Sequence, residues 1–316
     1  MRPHGRLISL GLSPRRGFIA GRTNGRSRKS IGIVSLDSPA VNGWVSIIFV
    51  RDNSVRRDLN SRMQTTNEIA IRDRLVERGQ ALFNAPHKHQ EFTKTAAADA
   101  LLNDLAGHPH AFVLACLMDR QIKAEKAWLI PYEISLLIGG FSMETLRKLS
   151  LADVTRHMSH PKPLHRYADM MSGVFYSGIQ RIGIQYGNDA ARIWAGNPSS
   201  AEVVYRFLEF DGAGQKIATM AANILARDFK VPFADYSAID VSADVHIRRV
   251  FGRLGLCPPD ANTEQVVYKA KALYPKFPGL MDLPCWEIGR TWCKASGQEC
   301  APCYMKDLCP AARAGI

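Results

Sequence analysis

Phe210-Asp211-Gly212-Ala213-Gly214-Gln215-Lys216-Ile217-Ala218 is the stretch on which the fold turns. Two glycines one residue apart permit a tight turn with positive φ, and apolar positions recur at helical spacing on either side of it. On the N-terminal side, Ser199 and Glu202 stand in the relation of a capping box. They open a helix in which Val203, Val204, Phe207 and Leu208 share a face. On the C-terminal side, Ile217, Met220, Ala221, Ile224 and Leu225 form one stripe, which places Lys216, Thr219 and Asn223 on the opposite face. Helix, Gly-x-Gly turn and helix make a helix-hairpin-helix. Its turn amides, from Gly212, Ala213, Gly214 and Gln215, together with the second helix N-terminus, can hold a backbone phosphate without reading bases. An ordinary αα-hairpin closed by a glycine turn has the same pattern, so the motif alone leaves both readings open.

Farther along, Cys293, Cys300, Cys303 and Cys309 fall within 17 residues in a C-x6-C-x2-C-x5-C spacing, whereas Cys116, Cys257 and Cys285 are scattered. A disulfide framework suits small secreted domains, and this chain of 316 residues has no apolar secretory signal and length enough to build a core without staples. Structural zinc usually draws its ligands from two short knuckles with a longer spacer between them. Here a single CxxC is flanked by one cysteine on each side. A compact loop delivering four thiolates around one object suits a [4Fe–4S] cubane better, each iron needing one sulfur ligand.

The formal net charge of +12 belongs mostly to the start of the chain. Residues 1–62 hold 12 basic and 3 acidic residues, against 29 and 26 in the remainder, so global basicity says little about the folded part. The first stretch is Arg-, Ser- and Gly-rich and has no acidic residue before Asp37. It reads as a transit peptide, a basic arm, or upstream reading-through ahead of a true start at Met63. In each case residues 1–63 stand outside the fold, and the apolar run Val45–Val50 has no evident partner. Apolar runs such as Trp44–Val50 and Ile134–Ile138 are far shorter than the roughly 18 residues of a membrane span, so no membrane partner is expected.

Hairpin and cysteine loop together resemble the endonuclease III branch of the helix-hairpin-helix DNA glycosylases. The family reads Leu-Pro-Gly-Val-Gly-Arg-Lys-Thr-Ala where this chain has Phe210 to Ala218, and Val-Asp-Thr-His-Val/Ile-x-Arg-Val where it has Ala243-Asp244-Val245-His246-Ile247-Arg248-Arg249-Val250. The C-terminal cysteine spacing is the family's own. Leu117-Met118-Asp119-Arg120-Gln121 sits where the family places a glutamine that fills the gap left by an extruded base. The likeness runs from about residue 85 to the end. It implies an all-α, two-lobed fold: a six-helix domain at 106–236 carrying the hairpin, and an iron-sulfur domain made of 64–105 and 237–316. A monomer is expected, in the cytoplasm with the nucleoid, unless residues 1–62 direct it to an organelle.

The implied chemistry is cleavage of an N-glycosidic bond in double-stranded DNA containing a damaged or modified base, plausibly a pyrimidine. The nucleotide must leave the stack first, at a cost of a few kcal/mol, which phosphates gripped at the hairpin and Gln121 in the vacated space would offset. Positive charge then develops on the sugar, and Asp244 stands at the family's position for the stabilising carboxylate. By pattern alone Asp244 is equally a helix N-cap. Lys216 stands at the position of the amine that attacks the anomeric carbon, forms a Schiff base and permits β-elimination, which is AP-lyase chemistry. By pattern alone it is a surface lysine holding phosphate. The [4Fe–4S] cluster on Cys293, Cys300, Cys303 and Cys309 is not expected to break this bond, since the reaction involves no net electron transfer.

Some residues depart from the family. Asp211 replaces the hairpin proline, and Met118–Gln121 differs from the Ser-Ala-Gln-Ala-Thr run of pyrimidine-lesion enzymes. The loop Lys294-Ala295-Ser296-Gly297-Gln298-Glu299 carries one Lys and one Glu where relatives are often basic. Lys216 and the short tail after Cys309 argue against the adenine-removing branch. Asp240 competes with Asp244 but lacks the x-His pattern. His87, His89, His108 and His110 read as solvated or capping residues, Trp128 and Tyr132 as core, and 157–166 as a connection near the DNA face. The alternatives are an iron-sulfur DNA-binding protein without base excision, a zinc-stabilised DNA module, and a monofunctional glycosylase for another modified base.

Overall fold

The computed structural model of the chain describes residues 31–36, 45–50 and 53–315, with side chains from residue 66 onward. The chain divides into two compact units, Met1–Met63 and Gln64–Ile316. In the first, β1 (Ile31–Leu36) pairs antiparallel with β2 (Val45–Val50), Ile31 opposite Val50 and Leu36 opposite Val45. The apolar run of β2 therefore has a partner, contrary to the expectation from sequence. Both segments are rich in Ile and Val, whose branched side chains favour extended backbone.

Otherwise the described residues are helical. In chain order they form α1 (Asn53–Asn84), α2 (Ala96–Asn103), α3 (Pro109–Met118), α4 (Ala124–Ile138), α5 (Met143–Arg147), α6 (Leu151–Ser159), α7 (Ala168–Gln185), α8 (Ser200–Leu208), α9 (Gln215–Arg227), α10 (Val245–Arg253), α11 (Thr263–Leu273), α12 (Asp282–Thr291) and α13 (Pro310–Ala314). Two short 3₁₀ turns, Ala190–Ile193 and Pro278–Met281, complete them. The all-α class holds for the unit 64–316.

Two apolar cores organise that unit. The first surrounds α3, every residue of which is buried, and draws in Leu102 of α2, Trp128 and Ile130 of α4, Phe175 and Ile179 of α7, and both hairpin helices. Phe112 lies at its centre, with Trp128, Trp194 and Phe229 rings around it. The second core joins Ile71 and Leu75 of α1 to Ile247, Phe251 and Leu254 of α10, Val266 of α11 and Ile288 of α12. A segment running from Ile239 to Ala243 passes from one core to the other. Gly279 donates its N–H to Ile239 O at 2.7 Å and accepts from Asn223 Nδ2 at 3.1 Å. Its missing side chain is what permits this crossing, because a Cβ there would lie 2.9 Å from Ile239 O.

That packing adds what the helical pattern did not say. Thr219 and Asn223, on the face opposite the apolar stripe, are buried as well. α9 is covered on both sides, and its polar groups are satisfied internally by Gln215 O and Gly279 O. His110 is likewise buried in α3, its Nε2 2.5 Å from Phe141 O, instead of solvated. Burial pushes its pKa down, so the neutral ring donates to that carbonyl. Trp128 is core, as expected, stacked on Phe92 at 4.5 Å.

Candidate active site

Ser199 opens α8 by accepting from Glu202 N at 3.2 Å. The reciprocal half of the expected capping box is absent, because the Glu202 carboxylate pairs with Arg206 instead. After Phe210 the chain reverses, with Ala213 N bonded to Phe210 O. Only one of the two turn glycines has positive φ. Gly212, at φ +79°, also lies against Val174, where a Cβ would come within 2.9 Å of Cγ1. Gly214 is extended (φ −98°, ψ −178°) and serves as N-cap of α9 without any capping side chain. The first N–H groups of α9, those of Gln215 and Lys216 among them, therefore have neither an intrahelical nor a side-chain acceptor. The Gln215 side chain is tied down, donating to Asp240 Oδ2 at 3.1 Å, so what Gln215 offers outward is its backbone.

Lys216 follows in the first turn of α9 with its side chain 40% exposed. Its ammonium lies 3.0 Å from Oδ2 of Asp119, a carboxylate only 9% exposed at the end of α3. No ion pair joins Lys216 to Asp244 in this structure. Asp244 is half-buried at the N-cap of α10, where its Oδ1 accepts from His246 N and Ile247 N, both at 2.8 Å. Its Oδ2 has no hydrogen-bond partner among the described residues. The segment leading to it is pinned by Ser242, whose N and Oγ both donate to Asp282 Oδ1 at 2.6 and 2.7 Å. Asp240, the competing carboxylate, is buried between Gln215 and Lys271; burial raises its pKa, and the Lys271 charge opposes that shift.

Gln121 is exposed at the tip of the turn after α3, in the left-handed region at φ +56°. Tyr167 Oη donates to its Oε1 at 3.0 Å. The turn is held from below by buried His165. Its Nδ1 accepts from Tyr167 N, so Nε2 carries the proton and donates to Arg120 O at 3.0 Å. Burial keeps this ring neutral by lowering its pKa. Asp119, His165 and Tyr167 were not singled out from sequence. Asp119 lies inside the quoted Leu117–Gln121 segment, and a carboxylate there was the available signal. The other two act across 45 and 46 residues, separations no local pattern reports.

Cys293, Cys300, Cys303 and Cys309 all line one small cavity, whose apolar wall comes from residues such as Leu254, Ile288 and Trp292. All four thiols are free. Arg253 donates to Cys293 Sγ at 3.2 Å, and Arg249 to Cys293 O at 2.7 Å. Burial pushes Cys303 and Cys309 up, N–H groups of Met305, Ala311 and Ala312 work against it, and the neighbouring thiols add a smaller upward push. Among the described residues no three His, Cys, Asp or Glu side chains are gathered to hold a metal ion. In the loop between the first two cysteines, Lys294 pairs with Glu299 at 2.7 Å, so its charge is met internally.

The chain matches no family model and no curated protein. Among solved structures it is similar to a thermostable thymine-DNA glycosylase, at 13% identity and a TM-score of 0.52 over 77% of this chain and 97% of that one. A trapped endonuclease III–DNA covalent intermediate matches at 16% identity and TM-score 0.48, covering 70% of this chain and 95% of that one. The fold is that of the helix-hairpin-helix DNA glycosylases. Within this glycosylase fold the Gly212–Gly214 turn is the hairpin, and the two cores lie on either side of the segment that delivers Asp244. No helix among the described residues is long and apolar enough to cross a membrane.

Proposed function

We propose that the protein is a DNA base-excision glycosylase with AP-lyase activity, acting on duplex DNA that contains a modified base, plausibly a pyrimidine. The observation that carries this reading is the position of Lys216. It is an amine in the first turn of α9, directly after the phosphate-binding type of turn, reachable from solvent and facing a carboxylate. Two lobes matching the two cores, with the duplex across the cleft between them, are part of the same proposal.

Uncapped N–H groups at the start of α9 favour a phosphate oxygen there, reinforced by the helix dipole. That grip is independent of sequence and fixes the strand beside Lys216. Gln121, presented on a rigid left-handed turn and braced by Tyr167, is suited to occupy the gap when the nucleotide swings out. As the C1′–N bond lengthens, positive charge grows on the sugar. Asp244 meets it with Oδ2, while Oδ1, fixed by two backbone N–H groups, holds the carboxylate in place. Neutral Lys216 attacks C1′, the base departs with the bonding electrons, and the resulting Schiff base permits loss of the 3′ phosphate.

Cys293, Cys300, Cys303 and Cys309 fit a [4Fe–4S] cluster. All four free thiols line one concavity, Arg253 donates to Cys293 Sγ, and the single CxxC flanked by one cysteine on each side suits a cubane better than a zinc knuckle. When bound, the cluster would cross-link the C-terminal loop to α10, the helix that Asp244 caps.

Borohydride trapping over a panel of duplexes with modified bases tests the reading. Wild type forms a covalent adduct on at least one of them and Lys216→Ala does not; an equal adduct from Lys216→Ala would end the lyase assignment. One observation favours a monofunctional glycosylase: the Lys216 amine is engaged in an ion pair with the Asp119 carboxylate. Lys216→Arg separates the two, since it retains the charge and cannot form a Schiff base.

A further inference from the structure

We propose that Asp119 is a third catalytic residue, the base that takes the proton from Lys216 and afterwards the acid that returns it to the departing base. The inference rests on the reading of Lys216 as nucleophile.

A lysine held as ammonium has no lone pair, and its ordinary pKa near 10.4 leaves less than about a thousandth of it neutral at pH 7. Something must accept the proton. Asp119 Oδ2 is the one carboxylate oxygen in contact with Lys216 Nζ among the described residues, 3.0 Å away. Asp244 is poorly placed for the task. It makes no ion pair with Lys216, and its Oδ1 is committed to two backbone N–H groups. Asp119 accepts no such bonds. Its only hydrogen-bond donor among the described residues is Lys216, and its own N–H turns back to Cys116 O at the end of α3. Oδ1 is left without a partner among the described residues, yet is not sealed from solvent.

The anchoring is rigid. α3 is buried along its whole length, so the carboxylate that follows it is held at the edge of the first core beside the partly exposed Lys216, where a bound duplex would cover both. In water the ion pair is the stable form. When a duplex covers the opening and water leaves, both charges lose solvation, and the neutral pair of amine and carboxylic acid gains relative to it. The proton then moves from Nζ to Oδ2, and the freed lone pair forms the N–C1′ bond. The C1′–base bond breaks with its electrons going to the base, and the Asp119 proton neutralises the base. The carboxylate so regenerated accepts the second proton from the alkylated nitrogen and passes it to O4′ as the C1′–O4′ bond breaks, leaving the protonated Schiff base and an ionised Asp119. No oxidant, reductant or further reactant is needed.

The test uses the full chain and a duplex with a single abasic site, which makes no demand on base specificity. Borohydride-trapped adduct formation is followed under single turnover from pH 6 to pH 9 for wild type, Asp119→Asn and Lys216→Ala. With an internal acceptor the wild-type rate is flat across this range, because ion pair and neutral pair hold the same number of protons. Asp119→Asn is slower by about 10²-fold or more at pH 7, and its rate climbs roughly tenfold per pH unit as free amine appears. An Asp119→Asn variant with the wild-type rate and profile would overturn the inference while leaving Lys216 as the nucleophile. An undiminished adduct from Lys216→Ala would take both readings down. Should Asp119→Asn fail to fold by circular dichroism, the wild-type profile decides alone: a rate climbing tenfold per unit excludes an internal acceptor, and a flat one supports it.

Discussion

Replacing Asp244 by Asn and by Ala separates its two roles. Its Oδ1 caps α10 through two bonds of 2.8 Å, to His246 N and Ile247 N, and α10 carries Ile247, Val250 and Phe251 into the second core. Asparagine caps about as well as aspartate, so Asp244→Asn retains both bonds and forfeits only the charge at the helix N-terminus, about 0.3–1 kcal/mol. Alanine forfeits the bonds as well, a further 0.5–2 kcal/mol or so. For a unit the size of residues 64–316, each kcal/mol moves Tm by about 2–4 °C. Asp244→Asn is thus expected within about 4 °C of wild type, with Asp244→Ala several degrees lower. Excision behaves otherwise, because Oδ2 faces the sugar only as an anion. Both variants lose it, by about 10²–10³-fold in kcat, the usual effect of removing one preorganised electrostatic group. The assays are calorimetric melting and the single-turnover release rate of whichever base the wild type excises. An Asp244→Asn protein that excises normally would refute the reasoning, leaving Asp244 a helix cap and nothing more.

The turn glycines are not equivalent. Gly212→Ala places a Cβ at φ +79° and 2.9 Å from Val174, costing about 1–3 kcal/mol, whereas Gly214→Ala enters open space at an ordinary φ and leaves the melting temperature nearly unchanged. Thermal unfolding of the two variants checks this. His110 gives a pH dependence. Its folded pKa lies below the ordinary His value of about 6.5, so its contribution is complete above that pH and is lost as pH falls below it. Urea unfolding between pH 8 and pH 5 should show a steeper acid loss in wild type than in His110→Gln. Cys303→Ser removes one of four cavity-lining thiols; anaerobically purified protein should lose iron and its absorbance near 400 nm, and stoichiometric zinc in the wild type would defeat the cluster assignment.

What was legible in the sequence was local. The hairpin, the Ser199 and Asp244 caps and the shared cavity of the four C-terminal cysteines all follow from residues a few positions apart, where spacing fixes geometry. The burial of Thr219 and Asn223 was not legible, because a helical period separates polar from apolar faces but cannot say that a polar face is covered. Asp119 meets Lys216 across 97 positions, and His165 holds the Gln121 turn across 45. Such pairs exist only once the helices pack. Asp240 shows the converse. It was set aside on pattern, and its work of fixing Gln215 at the hairpin appears only in three dimensions. The pairing of β1 with β2 was missed because a stretch so rich in Arg, Ser and Gly gave no reason to look for a strand partner.

The central claim, that one lysine in the first turn of α9 performs covalent chemistry on a deoxyribose, is tested most directly by peptide mapping. The full chain is incubated with an abasic duplex, reduced with borohydride, digested and sequenced by tandem mass spectrometry. The account requires the sugar remnant on Lys216; a remnant on any other residue, or none under conditions where the duplex is bound, would contradict it.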